Sequence, residues 1–196
     1  MKSQPFLVRH LDGKAEGRFP VWMMRQAGRY LDSYRAIRKQ HSFWEMVTKP
    51  DIAAEVSLLP LSVLPVDAVI FFSDILTLPF GLGLPIEMKE SVGPVLEKPL
   101  TTREQFSVFE SFDAIKHTGY VGEALTRIKK TLSPETALLG FAGAPWTVAS
   151  YLVEGRSNRN FPQIKGWQSH RILASHLPST NSCFVYRNIS LSINIF

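Results

Sequence analysis

Apolar residues along the chain gather in two patterns. Ala68-Val-Ile-Phe-Phe72 and Ala137 to Phe141 are continuous β-prone runs, as expected of strands buried on both faces of a parallel sheet. Phe19 to Met23 reads as a third, shorter buried strand. Elsewhere the spacing is helical. Tyr34 to Gln40 and Phe43 to Val47 suggest helical turns, and Ile52, Ala53, Val56 and Leu59 recur at three and four residues. Thr48-Lys-Pro-Asp51 has the form of a capping box with an early proline, which predicts a helix from there through Leu61. Gly119 to Leu132 reads as an amphipathic helix, and a further helix runs from Gly143-Ala-Pro145 to Glu154. The stretch TLPFGLGLP after Asp74 reads as a loop rich in proline and glycine. Strands alternating with helices predict an α/β fold with parallel strands, without internal repeats.

Composition narrows the function classes. At 45% hydrophobic and 20% charged residues, the 196-residue chain has the make-up of one globular domain with a real core. No run approaches the roughly 20 apolar residues of a membrane helix. The opening MKSQPFLVRHLDGK lacks an apolar signal region, so a soluble, cytoplasmic protein is expected. One cysteine argues against a disulfide scaffold or a cysteine-rich metal site. The five histidines are scattered, and no metal site is expected.

The net charge of +5 is unevenly spread. No acidic residue follows Glu154, whereas Arg156, Arg159, Lys165, Arg171 and Arg187 do; residues 1–155 hold 17 basic and 17 acidic side chains. The excess lies in a tail without the aromatic–basic rhythm of a nucleic-acid module, so that class is set aside. The last 40 residues are rich in Ser and Asn and sustain no period, apart from Cys183 to Tyr186 and Ile189 to Phe196. A poorly ordered tail from 162 to 196 is expected by composition.

Three places can carry chemistry. Pro20 to Arg38 sets Arg25, Arg29, Arg35 and Arg38 among Trp22, Met23, Met24, Tyr30 and Tyr34. Guanidinium forks bind carboxylates bidentately, which suits a polyanionic ligand, and Gly28 gives the backbone room to approach one. The competing reading is a solvated helix face pairing with Glu45 or Glu55, and that reading is preferred for Arg35. Asp74 follows a buried strand, at the end where α/β sites lie, but Ser73-Asp74 is also a natural capping pair. Tyr151 stands one turn after Thr147 in GFAGAPWTVASYLVEG, where it is either a core residue or a site residue.

Taken together, PVWMMRQAGRYL, FFSDILTLPFGLGLPIE and GFAGAPWTVASYLVEG closely resemble successive N-terminal blocks of the uroporphyrinogen decarboxylase family. The resemblance runs from about residue 19 to 161, and RQAGRY is its most specific part. It implies a (β/α)8 barrel, of which residues 1–161 would be the N-terminal part, a homodimer, and no metal or organic cofactor. The implied reaction converts uroporphyrinogen III to coproporphyrinogen III by decarboxylating four acetate side chains. Matched residue by residue, Arg25, Gln26, Ala27, Gly28 and Arg29 fall in the substrate-binding block, with both arginines facing the porphyrinogen carboxylates. Arg38 matches a further arginine near the cleft, Asp74 the central aspartate, and Tyr151 a tyrosine lining the site. The implied catalytic groups are Asp74, Arg25 and Arg29.

Two departures accompany the resemblance. Asp32-Ser33 stands where the family commonly has Pro-Glu, and the match stops after about Phe161. Three βα units cannot close a barrel that normally needs about 250 residues, and would leave an open sheet edge. The abrupt loss of acidic residues fits a shifted reading frame or an alternative gene ending. Little or no decarboxylase activity is therefore expected of the 196-residue chain alone. The alternatives are a non-catalytic fragment or interaction piece, and a B12-linked methyltransferase of the same fold; the arginine block argues against the second.

Overall fold

A computed structural model describes residues 4–24, 27–102 and 104–169. Helix α1 (Phe6–Leu11) is followed by an extended segment, then α2 (Asp32–Gln40), α3 (Phe43–Thr48) and α4 (Pro50–Leu58), which passes into a 3-10 turn, Leu59–Ser62. Strand β1 (Ala68–Ile70) leads to α5 (Thr77–Gly81) and a hairpin of β2 (Ile86–Lys89) and β3 (Gly93–Leu96). A 3-10 helix, Glu104–Ser111, precedes α6 (Ala114–Thr131), and β4 (Ala137–Leu139), α7 (Pro145–Glu154) and α8 (Pro162–Ser169) complete the order.

The chain divides into two units: the residues up to Ser73 with Tyr120–Phe141, and Asp74–Gly119 with the residues from Ala142 on. In the first, β1 and β4 pair in parallel, Ala68 to Ala137 and Ile70 to Leu139, so both apolar runs supply strands of a parallel pair. Val69 and Phe71 pack with Ala53 and Ala54 of α4 and with Ala124, Leu125 and Ile128 of α6. Buried Ser57 donates to the Ala53 carbonyl (2.6 Å), and its hydroxyl accepts the Phe72 N–H (2.8 Å), fixing the strand's exit two residues before Asp74. In the second unit, α7 and α8 bury Ala149, Val153 and Ile164 against Phe106, Phe161 and Trp167.

Several expectations are corrected. Phe19 to Met23 is extended but forms no strand, and Phe19, Val21, Trp22 and Met23 are exposed rather than buried. Among residues 19–23, Val21 bonds Asp67, the residue ahead of β1, in both directions, and none of the five is assigned to a strand. The capping box lies at Ser42 and Glu45, ahead of α3, not at Thr48 and Asp51. Thr48 ends α3 and donates its hydroxyl to the Trp44 carbonyl (2.7 Å), and Asp51 pairs with Arg127 (2.5 Å), so neither is free to cap α4. The supposed loop TLPFGLGLP contains α5, and the hairpin adds antiparallel strands to an otherwise parallel reading.

The tail reading also shifts. Pro162–Ser169 is helical, because Glu154 caps it: its Oε1 accepts the N–H groups of Gln163 (2.9 Å) and Ile164 (3.2 Å), and Ile164 is fully buried. A cap supplied from eight residues upstream leaves no periodic signal in the helix itself. The other suggested tail segments, Cys183 to Tyr186 and Ile189 to Phe196, lie outside the described residues.

Candidate functional site

In the second unit, Asp74 begins a tight turn. Its Oδ1 accepts the Leu76 N–H (2.8 Å), its own N–H donates to Thr77 Oγ1 (3.2 Å), and its carbonyl accepts the Thr77 N–H (3.1 Å). The local capping role suggested by Ser73-Asp74 is thus realised by one carboxylate oxygen. Oδ2 accepts no hydrogen bond from the described residues. Burial pushes the Asp74 carboxyl above the usual carboxylate range, against the opposing pull of the Leu76 N–H. A carboxylate in this state gains from any N–H donor or cation that arrives, because either favours its ionised form.

The turn is apposed to the loop before α7. A Cβ at Gly143 would sit 2.8 Å from the Ile75 carbonyl oxygen, so only glycine admits this approach. Pro145 opens α7 at its first helical position, as the sequence predicts. Tyr151 is half-buried on this helix, between the fully packed Ser150 and Leu152. Within this unit the structure therefore brings the Asp74 turn together with the loop at Gly143.

In the first unit, the Gly28 carbonyl accepts the Leu31 N–H (3.0 Å), turning the chain into α2. Ala27 packs against the cluster of Leu31, Tyr34, Met46 and Val56. Arg29 is exposed and Arg38 half-buried. Both lie close enough to the buried Tyr34 to oppose the upward push of burial on its hydroxyl, Arg38 more strongly than Arg29. Arg38 donates to the His41 carbonyl (3.1 Å), and neither arginine pairs with a carboxylate among the described residues. Arg35 instead pairs with Asp32 on the helix surface, in keeping with its reading as a solvated position, although with a different partner from Glu45 or Glu55. Glu45 is occupied by Lys49 (2.7 Å) and the Ser42 cap, which together hold its carboxyl down at about 2. Arg25 and Gln26 lie outside the described residues.

Sequence reasoning passed over two residues. Tyr34 was legible as an aromatic in the arginine segment, but not as the buried ring that Arg29 and Arg38 share. Asp67 gave one signal, an acid immediately ahead of the apolar run; it proves to be buried and paired with Arg18. Among the described residues no three His, Cys, Asp or Glu side chains gather as a metal site, and no helix is long and apolar enough to cross a membrane.

Parallel β1 and β4, packed against α4 and α6, define an α/β protein. The chain belongs to the uroporphyrinogen decarboxylase family, whose model, described as uroporphyrinogen decarboxylase (URO-D), matches residues 2–176. That match reaches beyond the motif-bearing stretch 19–161 at both ends. A uroporphyrinogen decarboxylase of Drosophila virilis is 42% identical over 161 residues, covering 82% of this chain and 42% of its own length. One from Prochlorococcus marinus is 44% identical over 164 residues, covering 83% and 47%. One from Nautilia profundicola is 42% identical over 175 residues, covering 86% and 51%. The chain spans about half the length of the curated relatives it matches.

Proposed function

We propose that this chain carries the substrate-gripping part of a uroporphyrinogen decarboxylase, acting in the cytoplasm on the octacarboxylate uroporphyrinogen III and yielding coproporphyrinogen III. On this reading the parallel β1–β4 pair belongs to a (β/α)8 barrel, and the working form is a homodimer. The observation that carries the proposal is the pair Arg29 and Arg38, which flank Tyr34 and have no carboxylate partner among the described residues. Guanidinium groups left without an acid in a chain that balances 17 bases with 17 acids up to residue 155 are open to acids on a ligand.

The chemistry follows from where charge develops. Loss of CO2 from an acetate on a pyrrole leaves an electron pair that the ring must accept. Protonation of the adjacent ring carbon makes the pyrrole iminium-like and able to accept it; the resulting exocyclic methylene then takes a proton to become the methyl group, and the ring carbon gives back the proton it had gained, restoring the aromatic pyrrole. Asp74, ionised and accepting pyrrole N–H groups through Oδ2, stabilises that positive charge from a fixed position. Arg25, Gln26, Ala27, Gly28, Arg29 and Arg38 hold the rim carboxylates, Tyr151 lines the pocket, and Arg25 or Arg29 relays the proton.

With two parallel strands among the described residues, the 196-residue chain is expected to bind porphyrins with little or no turnover. The test is a fluorescence titration with uroporphyrin, set beside Arg29→Met and Arg38→Met. Each variant is expected to weaken binding roughly ten-fold, the worth of one charge-assisted contact. Equal affinity for uroporphyrin in the wild type and the double variant would refute the assignment. Detectable coproporphyrinogen formation by the purified chain would overturn the expectation of low turnover.

A further inference from the structure

Asp67 lies immediately before β1 and ties three segments together. Its carboxylate accepts Arg18 Nη1 at Oδ2 (2.6 Å), Arg18 Nη2 at Oδ1 (2.5 Å) and the Val21 N–H at Oδ2 (2.7 Å). Its own N–H donates to the Val21 carbonyl (2.8 Å), and its carbonyl accepts the Ala137 N–H at the start of β4 (2.9 Å). The Arg18 guanidinium stands over the Phe6 ring, 4.6 Å from its centroid. A fork-to-fork pair fixes both the distance and the rotation of the carboxylate, which a single backbone hydrogen bond does not.

This arrangement replaces a ladder. Residues 19–23 form no strand, and Asp67 holds their register ahead of β1 through its bonds with Val21. A one-residue slip, which a short extended segment otherwise allows, would break all three side-chain bonds. Downstream, the chain is held again where Ala27, Leu31 and Tyr34 pack with Met46 and Val56. The stretch carrying exposed Trp22, Met23 and Met24 and leading to Arg25 is therefore held at a polar anchor on one side and an apolar anchor on the other.

We propose that the Arg18–Asp67 pair is a positioning device for the arginine block: it fixes the chain at Val21 and so sets the reach of the residues that grip the rim of the ligand. Neither Arg18 nor Asp67 touches the ligand on this account. The inference rests on the porphyrinogen reading of that block.

The experiment compares Asp67→Asn, Arg18→Met and Arg18→Lys with Ile128→Val, a core change in the same unit. Each full 196-residue chain is measured for uroporphyrin affinity, melting temperature and amide exchange of residues 19–24. Asp67→Asn and Arg18→Met should weaken binding roughly ten-fold and speed exchange in residues 19–24, leaving α4 and α6 unchanged. Arg18→Lys, which keeps the charge, should recover part of both effects. Ile128→Val should lower the melting temperature with affinity intact. Unaltered affinity in Asp67→Asn, or exchange in residues 19–24 no faster than wild type, overturns the proposal. Should Asp67→Asn fail to fold, Arg18→Met and Arg18→Lys decide it by the same two readouts. If the wild type itself does not bind uroporphyrin, the porphyrinogen reading fails separately, and the exchange measurements still decide whether the pair positions the segment.

Discussion

Replacing Gly143 with alanine is the most direct probe of the Asp74 turn. The added Cβ would lie 2.8 Å from the Ile75 carbonyl oxygen, 2.6 Å from Val148 Cγ2 and 3.1 Å from Ile75 Cβ. The Ile75 carbonyl must retreat by about 0.6 Å to reach ordinary van der Waals contact, and overpacking of this kind costs about 1–3 kcal/mol. Val148 offers little relief, because a β-branched side chain in a helix is held to one χ1 well. Ile75 is the middle residue of the turn in which Asp74 Oδ1 receives the Leu76 N–H, so displacement of its carbonyl is passed straight to the carboxylate. A melting temperature about 3–8 °C lower is expected from calorimetry, for a chain of this size. Uroporphyrinogen affinity, read by quenching of intrinsic fluorescence, should fall by more than the uniform loss that a remote core change such as Ile128→Val produces. Gly143→Ala with wild-type stability and wild-type affinity would show that the close approach of the two loops does not govern Asp74.

Further predictions follow from the same geometry. Gly155, at φ +75° with its would-be Cβ 2.7 Å from Pro99 Cγ, closes α7 onto β3; Gly155→Ala should cost about 2–3 kcal/mol, seen as a lower midpoint in urea. A raised carboxyl pKa in the folded state means that Asp74 detracts from stability as pH rises from the ordinary carboxylate value near 4 through its own higher one. Asp74→Asn should therefore melt at the same temperature as wild type or higher at neutral pH, yet bind uroporphyrinogen less well. The loss of affinity on acidification, which in the wild type should set in above the usual carboxylate range, should be absent from Asp74→Asn; an identical acid limb in both proteins refutes the role. Glu154→Ala should remove the cap of α8 at about 1 kcal/mol and speed tryptic cleavage after Lys165, whereas Glu154→Gln should retain much of the protection.

What the sequence revealed depended on whether the cause was local. Ala68–Phe72 and Ala137–Phe141 were legible as strands of a parallel sheet because burial on both faces leaves an unbroken apolar run; their pairing with each other, over Ala68–Ile70 and Ala137–Leu139, was not. Phe19 to Met23 carries the same kind of run and is exposed, since its apolar side chains meet no partner layer among the described residues. The cap of α3 was overlooked in favour of Thr48 and Asp51, as both pairs have the right spacing and only the structure shows Thr48 already committed to Trp44. The order of the three blocks was enough to recognise the family, but the anchoring of the arginine block was hidden. Arg18 and Asp67 are 49 residues apart, and no periodicity connects them.

The candidate site also explains an apparent inefficiency in the fold. Most charges with a structural role are matched: Arg18 with Asp67, Lys49 with Glu45, Arg127 with Asp51, Arg35 with Asp32. Arg29 and Arg38 are not matched to an acid, nor Asp74 to a base, among the described residues, and Asp74 bears a desolvation cost for it. A fold selected for stability alone gains from pairing or replacing such groups. On the proposed reading, Arg29 and Arg38 are left for acids of a ligand and Asp74 for N–H donors of one. Each group that binding neutralises should be one whose removal leaves the free protein no less stable, and a marked loss of stability in Arg29→Met or Asp74→Asn would mean that these charges serve the fold rather than the ligand.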